Sequence, residues 1–274
     1  MSLRRYFALT RSSILEQLHF RLGTFITFLG NVIYLTLVYF LWKSIYASSG
    51  KDTVAGMSFN DTLIYLVLAT ALFNFLEMFI VWDMSRKIQS GEIILHLLKP
   101  MGFKSYTFWS YFGANVVTFF LTFLPTFVII DVLTGGAIQL NTNCLFFVIS
   151  VAMALIINFN IDMFVATICL YTESTWGINI VKESIVLLFS GATIPLVFFP
   201  QALRKVVALM PFRSIYDTPL NILLMKDGYN LSGGPIEGGL LEAMLIQFFW
   251  CIVLSIISTL FWKVSVRQIT VNGG

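Results

Sequence analysis

Five charged or amide side chains stand inside long runs of apolar sequence, where they are the clearest candidates for chemistry. They are Glu77, Asn158, Asp162, Lys182 and Glu183. An ionisable group near the middle of a spanning helix costs about 2.5–3.5 kcal/mol by insertion scales, so such residues usually face a partner or a pathway. Asn158 and Asp162 are one helical turn apart on the same face. We predict that these five residues line a polar pathway; the alternative for Glu77, Lys182 and Glu183 is packing or ion pairing.

Catalytic motifs are missing from the sequence. There is no His-Glu-x-x-His and no Gly-x-Ser-x-Gly, and the two histidines, His19 and His96, are far apart. A phosphate loop at Gly50 is excluded because Ile45 stands where a glycine is needed. The three cysteines lie in separate apolar runs, which indicates small buried hydrophobes; they are Cys144, Cys169 and Cys251. The sequence therefore predicts no catalytic residue, no metal site and no cofactor in this chain.

The composition indicates that the bilayer is the solvent for most of the chain. Of 274 residues, 58% are hydrophobic and 11% are charged, and the mean hydropathy is +0.85. Soluble domains are about 45–50% apolar and about 25% charged. The net charge of +3 is spread along the chain, which argues against a nucleic-acid surface. No short apolar core with a cleavage site is visible near the N-terminus, so we expect no removable signal peptide.

Six apolar runs are long enough to cross a membrane, since a spanning helix needs about 20 apolar residues. The sequence predicts an all-α integral membrane protein whose spans are 24–46, 62–82, 106–133, 144–171, 176–199 and 241–262. Tryptophans near the ends of these runs are typical of an interfacial belt.

Lysine and arginine in the short flanking segments predict the orientation. The basic side chains of the N-terminal arm, of the segment after the second run and of the C-terminal tail should share the cytoplasmic side; they are Arg4, Arg5, Arg11, Arg21, Arg86, Lys87, Lys99, Lys104, Lys263 and Arg267. Four basic residues between 200 and 242 oppose this assignment, but long external segments escape the rule more easily. We expect both termini in the cytoplasm.

Two segments fit neither a span nor a plain loop. In 85–100, Ser90 and Gly91 indicate a helix start and Lys99-Pro100 its end, so we predict a short helix over Gly91–Leu98 with an apolar side. It lies either on the bilayer surface or in a groove of a cytoplasmic partner. In 195–228, prolines separate two short helices, Gln201–Met210 and Pro219–Met225, which we predict to be re-entrant or interfacial on the outer side.

Three features together resemble the permeases of ABC-2 type exporters, also described as the type V exporter fold. They are the basic N-terminal arm, the stretch Gln89–Pro100, and the stretch Phe189–Pro200 followed by Met210-Pro211-Phe212. The resemblance covers essentially the whole chain. It implies one transmembrane domain over 1–274, with an amphipathic connector helix at 1–22, a coupling helix at 85–100 and re-entrant helices at 195–228.

The resemblance also implies partners. A separate ATP-binding cassette ATPase, which carries ATP and magnesium, would bind the coupling residues; these are Gly91, Glu92, Ile93, Leu95, Leu97 and Leu98. A second permease, identical or paralogous, would complete the pathway in the cytoplasmic (inner) membrane, in contact with lipid. The chain itself would be a transport subunit and not an enzyme.

The many Phe, Leu and Ile residues favour a hydrophobic or amphiphilic substrate, which could be a cation met by Glu77 or Asp162. Two alternatives stay open. One is an ATP-independent secondary transporter, although no inverted repeat relates 24–133 to 144–262. The other is a membrane-embedded enzyme or an assembly subunit.

Overall fold

The computed structural model describes residues 3–19, 21–136, 138, 142–172, 175–224 and 239–268. The first half contains α1 (Leu3–His19), α2 (Arg21–Ser49), an antiparallel hairpin of β1 (Thr53–Val54) and β2 (Met57–Ser58), α3 (Phe59–Leu76), α4 (Ile80–Gln89), α5 (Ile93–Leu97), α6 (Phe103–Thr118) and α7 (Leu124–Leu133). A π-helical turn, Phe119–Phe123, joins α6 to α7. The second half contains α8 (Asn143–Ile168), α9 (Thr175–Phe189), α10 (Gln201–Ala208), α11 (Asp217–Leu223) and α12 (Gly239–Ser265).

Within the described residues, five helical stretches are long and apolar enough to cross a membrane. They are Phe25–Ser49, Phe59–Gln89, Phe103–Leu133, Asn143–Ile168 and Gly239–Ser265. The prediction of an all-α membrane protein is confirmed, and five of the six predicted runs coincide with these stretches. The run 176–199 differs, because α9 has 15 residues. At 1.5 Å per residue it is about 22 Å long, shorter than a hydrocarbon core of about 30 Å. The count of six spans stays a prediction.

Side-chain contacts show that α8 and α12 run parallel to each other. Ser150 Oγ donates to Gln247 Oε1 (2.8 Å) near the start of both helices, and Tyr171 Oη donates to Ser265 Oγ (2.9 Å) beyond or near their ends. Because the two helices point the same way, the chain between them must return from one end of the bundle to the other.

The returning segment begins with α9. Ser85 and Thr175 share a hydrogen bond of 2.7 Å at one end of the bundle. At the other end, Phe198 lies 4.7 Å from Trp42, measured between ring centroids. Between them, Gly191 adopts φ +82°, a left-handed conformation that favours glycine, and ends the helical path. Thus α9 and the irregular stretch after it together cover the distance that one helix covers elsewhere.

The N-terminal helix packs along α6, close to the end of the bundle that carries α5. Arg5 Nη1 donates to Pro100 O (3.4 Å) and Thr10 Oγ1 to Trp109 O (3.4 Å). Gly113 of α6 allows this approach, because a Cβ there would lie 2.5 Å from Thr10 O. The structure therefore places a helix where the connector helix 1–22 is predicted; residues 1–2 and 20 lie outside the described part.

Helices α10 and α11 occupy the segment where re-entrant helices are predicted. The second of them begins at Asp217, two residues before the predicted start, and all seven of its residues are buried. Arg213 and Asp217 form a buried ion pair of 2.8 Å at its start, and Asp217 N–H donates to Ser190 O (3.1 Å). One of the four basic residues that opposed the orientation is thus neutralised inside the protein. Residues 225–228 of the predicted segment lie outside the described residues.

Candidate functional site

The helix formed by residues 59–89 is interrupted at Glu77. Helix α3 ends at Leu76, α4 begins at Ile80, and the backbone between them is not helical. Because this stretch continues to Gln89 and not only to the predicted end at Trp82, Glu77 lies well inside it.

Two asparagines from other helices stabilise the interruption. A broken helix leaves carbonyl groups without partners, and lipid cannot supply donors. Asn115 Nδ2 of α6 donates to Phe75 O (2.5 Å), and Asn158 Nδ2 of α8 donates to Leu76 O (2.8 Å). Asn158 is therefore bonded to the backbone at the interruption. The sequence interpretation did not single out Asn115; its signal was an amide inside the predicted third span.

Beside the interruption, α8 and α9 are joined by an ion pair. Lys182 Nζ lies 2.8 Å from Asp162 Oδ1, and the two side chains are 13% and 2% exposed. Glu183 lies 4.0 Å from the same ammonium group and accepts a hydrogen bond from Asn179 Nδ2 (2.5 Å). Such a pair holds two helices in register, because either charge alone would be costly in an apolar surrounding.

The five predicted pathway residues thus come together around one point of the fold. Glu77 interacts electrostatically with Glu183, Lys182 and Asp162. The group contains three carboxyl groups and one ammonium group, so cations are favoured there over anions. Asn179 belongs to the same group and was missed, because a single asparagine near the start of a predicted span carried no distinct signal. The pathway role of these residues stays a prediction.

A cavity of about 360 Å³ lies next to the interruption, between α2, α3 and α6. Among its described lining residues Glu77 is the only one with a formal charge, and neutral polar side chains surround it; these include Gln17, Thr27, Asn31, Asn74, Tyr111, Asn115 and Thr118. Phe28, Phe79 and Leu121 contribute apolar surface. The arrangement offers one negative group in a mixed polar and apolar pocket.

Two further cavities adjoin this one. The first, of about 330 Å³, shares Gln17 and Tyr111 with it and includes Asp83 and Lys87 near the end of α4. The second, of about 210 Å³, shares Asn31 and Asn74 with it and extends to Thr193. Together the three cavities follow the bundle from the α5 end toward the opposite end.

The predicted coupling residues divide into an exposed and a packed set. The helix itself is shorter than the predicted Gly91–Leu98, because Gly91 has φ +71° and helix α5 begins at Ile93. Leu95 and Leu98 are 64% and 75% exposed, and Gly91 and Glu92 are exposed as well. By contrast, Ile93 is buried and Leu97 is half-buried. The contact of these residues with a partner stays a prediction.

His96 anchors α5 to the rest of the protein. Lys99 Nζ donates to its Nδ1 (3.0 Å), so the ring proton resides on Nε2, which lies 3.3 Å from Glu92 Oε1. The Lys99 ammonium also lies 3.9 Å from the centroid of the Tyr106 ring. Burial, and then the nearby charge of Lys87, lower the pKa of His96 below its ordinary value. The exposed leucines are therefore presented by a well-anchored turn.

The cysteines are free thiols: Cys169 and Cys251 are buried, which confirms their interpretation as buried hydrophobes, and Cys144 is half-buried. In the described part of the chain, no three His, Cys, Asp or Glu side chains are grouped as metal ligands.

A protein-family model described as "ABC-2 family transporter protein" matches residues 32–273. No curated protein matches the chain. The matched range includes the interruption at Glu77, the Asp162–Lys182 pair and α5.

Proposed function

Because the chain belongs to the ABC-2 family of transporter proteins, we propose that it is the permease subunit of an ATP-driven exporter. Membership and the five apolar stretches establish a multi-pass membrane protein of a transporter family. The proposal adds the direction of transport, a separate ATPase that carries ATP and magnesium, the cytoplasmic membrane as location, and a hydrophobic or amphiphilic substrate.

The observation that carries the proposal is the exposed apolar surface of α5. Leu95 and Leu98 point away from the protein, whereas Ile93 and His96 fix the turn from the other side. An apolar face on a short helix is suited to a groove on a partner. We assign this face, with Gly91 and Glu92, as the contact with the ATPase.

The same element is connected to the polar site. Helix α4 leads directly from the interruption at Glu77 to α5, and it packs against both α8 and α9. A displacement of α5 by the ATPase would therefore move α4 relative to the helices that carry Asp162 and Lys182. A helix interruption held by side-chain amides can absorb such a movement, since it does not depend on a continuous backbone ladder.

The proposed topology has six crossings and both termini in the cytoplasm. The parallel course of α8 and α12 supports it, because the segment from Thr175 to Phe198 then serves as the fifth crossing. The largely exposed apolar surface of α2 is available to a partner permease, identical or paralogous. Lipid would cover the part of this surface that the partner does not contact. Two copies would enclose the transport path between them.

A second candidate function, secondary transport without ATP, is favoured by the interruption itself. Broken helices with charged groups near the membrane midplane are typical of secondary transporters. Transport by vesicles that contain this chain without an ATPase, driven by an ion gradient, would identify that function.

The test uses the full-length chain purified with candidate ATPase subunits. The variants Leu95→Ser and Leu98→Ser should abolish ATPase binding and leave the melting temperature nearly unchanged. The matched control is Leu209→Ser, which replaces a leucine that is 70% exposed at a distance from α5. ATPase binding that survives both α5 changes, or that is lost equally in the control, would contradict the assignment.

A further inference from the structure

We propose that the cavity beside Glu77 is a binding site for one amphiphilic organic cation, whose positive group pairs with the Glu77 carboxylate. The inference rests on the proposed exporter function and specifies the substrate class. It also places the site within one chain, between α2, α3 and α6.

The first reason is that Glu77 lacks a partner of its own. None of the described side chains donates a hydrogen bond to its carboxylate or forms an ion pair with it. The positive group that interacts electrostatically with Glu77 belongs to Lys182, and that ammonium is already bonded to Asp162 at 2.8 Å. A half-buried carboxylate inside a spanning stretch is costly. A bound cation would offset this cost by direct charge pairing, which an anion cannot do.

The second reason is the chemistry of the walls. Asn31 and Gln17 face the cavity and have no hydrogen-bond partner among the described residues, so their amides are available to a ligand. Phe28 and Phe79 supply aromatic surface, which accommodates an apolar body and attracts positive charge. A volume of about 360 Å³ lies within the range of about 300–1,000 Å³ that small-molecule sites occupy.

The third reason is that the cavity has approaches on both sides. Toward the α5 end, the cavity shared through Gln17 and Tyr111 carries Glu16, Asp83 and Lys87. Lys87 is paired with Asp83, so Glu16 leaves the described lining with one net negative charge. Toward the other end, the cavity shared through Asn31 and Asn74 is lined by neutral residues. A cation would thus be attracted from the side that we assign to the cytoplasm. A metal ion fits less well, because several oxygen ligands would be required and Glu77 is the only carboxylate among the described lining residues.

The test measures binding of tetraphenylphosphonium and of tetraphenylborate, which have the same shape and opposite charge. Equilibrium dialysis uses the full-length chain in lipid nanodiscs. We expect the phosphonium to bind at least tenfold more tightly than the borate. Glu77→Gln should remove this preference, whereas the control Glu242→Gln, at an exposed carboxylate in the first turn of α12, should retain it. Glu77→Asp, which keeps the charge, should restore most of the preference and show that the variants fold.

Two results would overturn the proposal. One is equal affinity for the two probes in the unchanged protein, and the other is a preference for the phosphonium that Glu77→Gln leaves intact. The same preparations are scored for ATPase binding. If the ATPase binds but Glu77 has no effect on the probes, the cation site is wrong and the exporter function stands. If the ATPase does not bind while the Glu77-dependent preference is present, the exporter function fails and the cation site stands.

Discussion

Replacing Lys182 by methionine should destabilise the protein by about 3–4 kcal/mol at pH 7. The change removes the ammonium that lies 2.8 Å from Asp162, whose side chain is 2% exposed. Breaking one side of a buried pair costs about 3–5 kcal/mol, because the other charge remains without compensation. An upper limit comes from protonation: the ordinary pKa of an aspartate is about 3.9, so adding the proton at pH 7 costs about 4 kcal/mol.

Because the cost of protonating Asp162 becomes smaller as the pH falls, the loss of stability in Lys182→Met should depend on pH. Protonating an ordinary aspartate at pH 5 costs about 1.5 kcal/mol, so the loss in Lys182→Met should shrink to about that value. The double variant Lys182→Met/Asp162→Asn leaves no charge behind and should recover at least half of the loss at pH 7. Free energies of unfolding are measured by chemical denaturation in mixed micelles, followed by tryptophan fluorescence.

The control is Lys263→Met, at an exposed lysine near the end of α12, which should change stability by less than about 0.5 kcal/mol. A loss below about 1 kcal/mol in Lys182→Met at pH 7 would refute the reasoning. So would a loss that is the same at pH 5 and pH 7, or a double variant whose loss equals the sum of the two single changes.

Three further predictions concern the interruption between α3 and α4, the contact of α1 with α6, and His96, which anchors α5. Asn158→Leu should cost about 1–3 kcal/mol in chemical denaturation, because a buried carbonyl loses its donor; an unchanged midpoint would contradict this. Gly113→Ala should detach α1 from α6 and speed the proteolysis of α1, since the new Cβ would lie 2.5 Å from Thr10 O. The control Gly177→Ala, whose Cβ would have no atom within 4 Å, should be cleaved at the same rate as the unchanged protein. Burial lowers the pKa of His96, so as the pH falls below about 6.5 the imidazole is protonated in the unfolded state before it is protonated in the folded state. The free energy of unfolding should therefore decrease from pH 7.5 to pH 5.5. His96→Gln should lose this part of the pH dependence of the melting temperature, and an identical pH dependence in both proteins would disprove the contribution.

The sequence was informative wherever one residue or one short run carries the signal. Each of the five pathway candidates is conspicuous because charged and amide groups are rare in apolar runs, and the structure brings all five together. The division of α5 into exposed and packed side chains was not visible in the sequence. A helix of five residues is too short for a periodic pattern, so the exposure of Leu95 and the burial of Ile93 had to come from the packing of α5 itself.

The interruption at Glu77 could not be read from its own residues. The stretch from Leu76 to Ile80 contains neither proline nor glycine, the usual signals for a helix break. The donors that satisfy the freed carbonyls are Asn115 and Asn158, which lie 40 and 82 positions along the chain from their acceptors. The early end of α9 is indicated in the sequence, because Gly191 and Pro195, residue types that interrupt helices, follow it closely.

Membrane residence and the positions of the apolar stretches were determined by the sequence alone, because the free energy of transfer into lipid is summed over neighbouring residues. Which polar groups meet was decided only by the tertiary structure. Glu77 lies at the interruption after α3, Asp162 on α8 and Lys182 on α9, and each bears a cost in lipid that the others or a ligand must offset. That compensation depends on distances between helices, which only the tertiary packing sets.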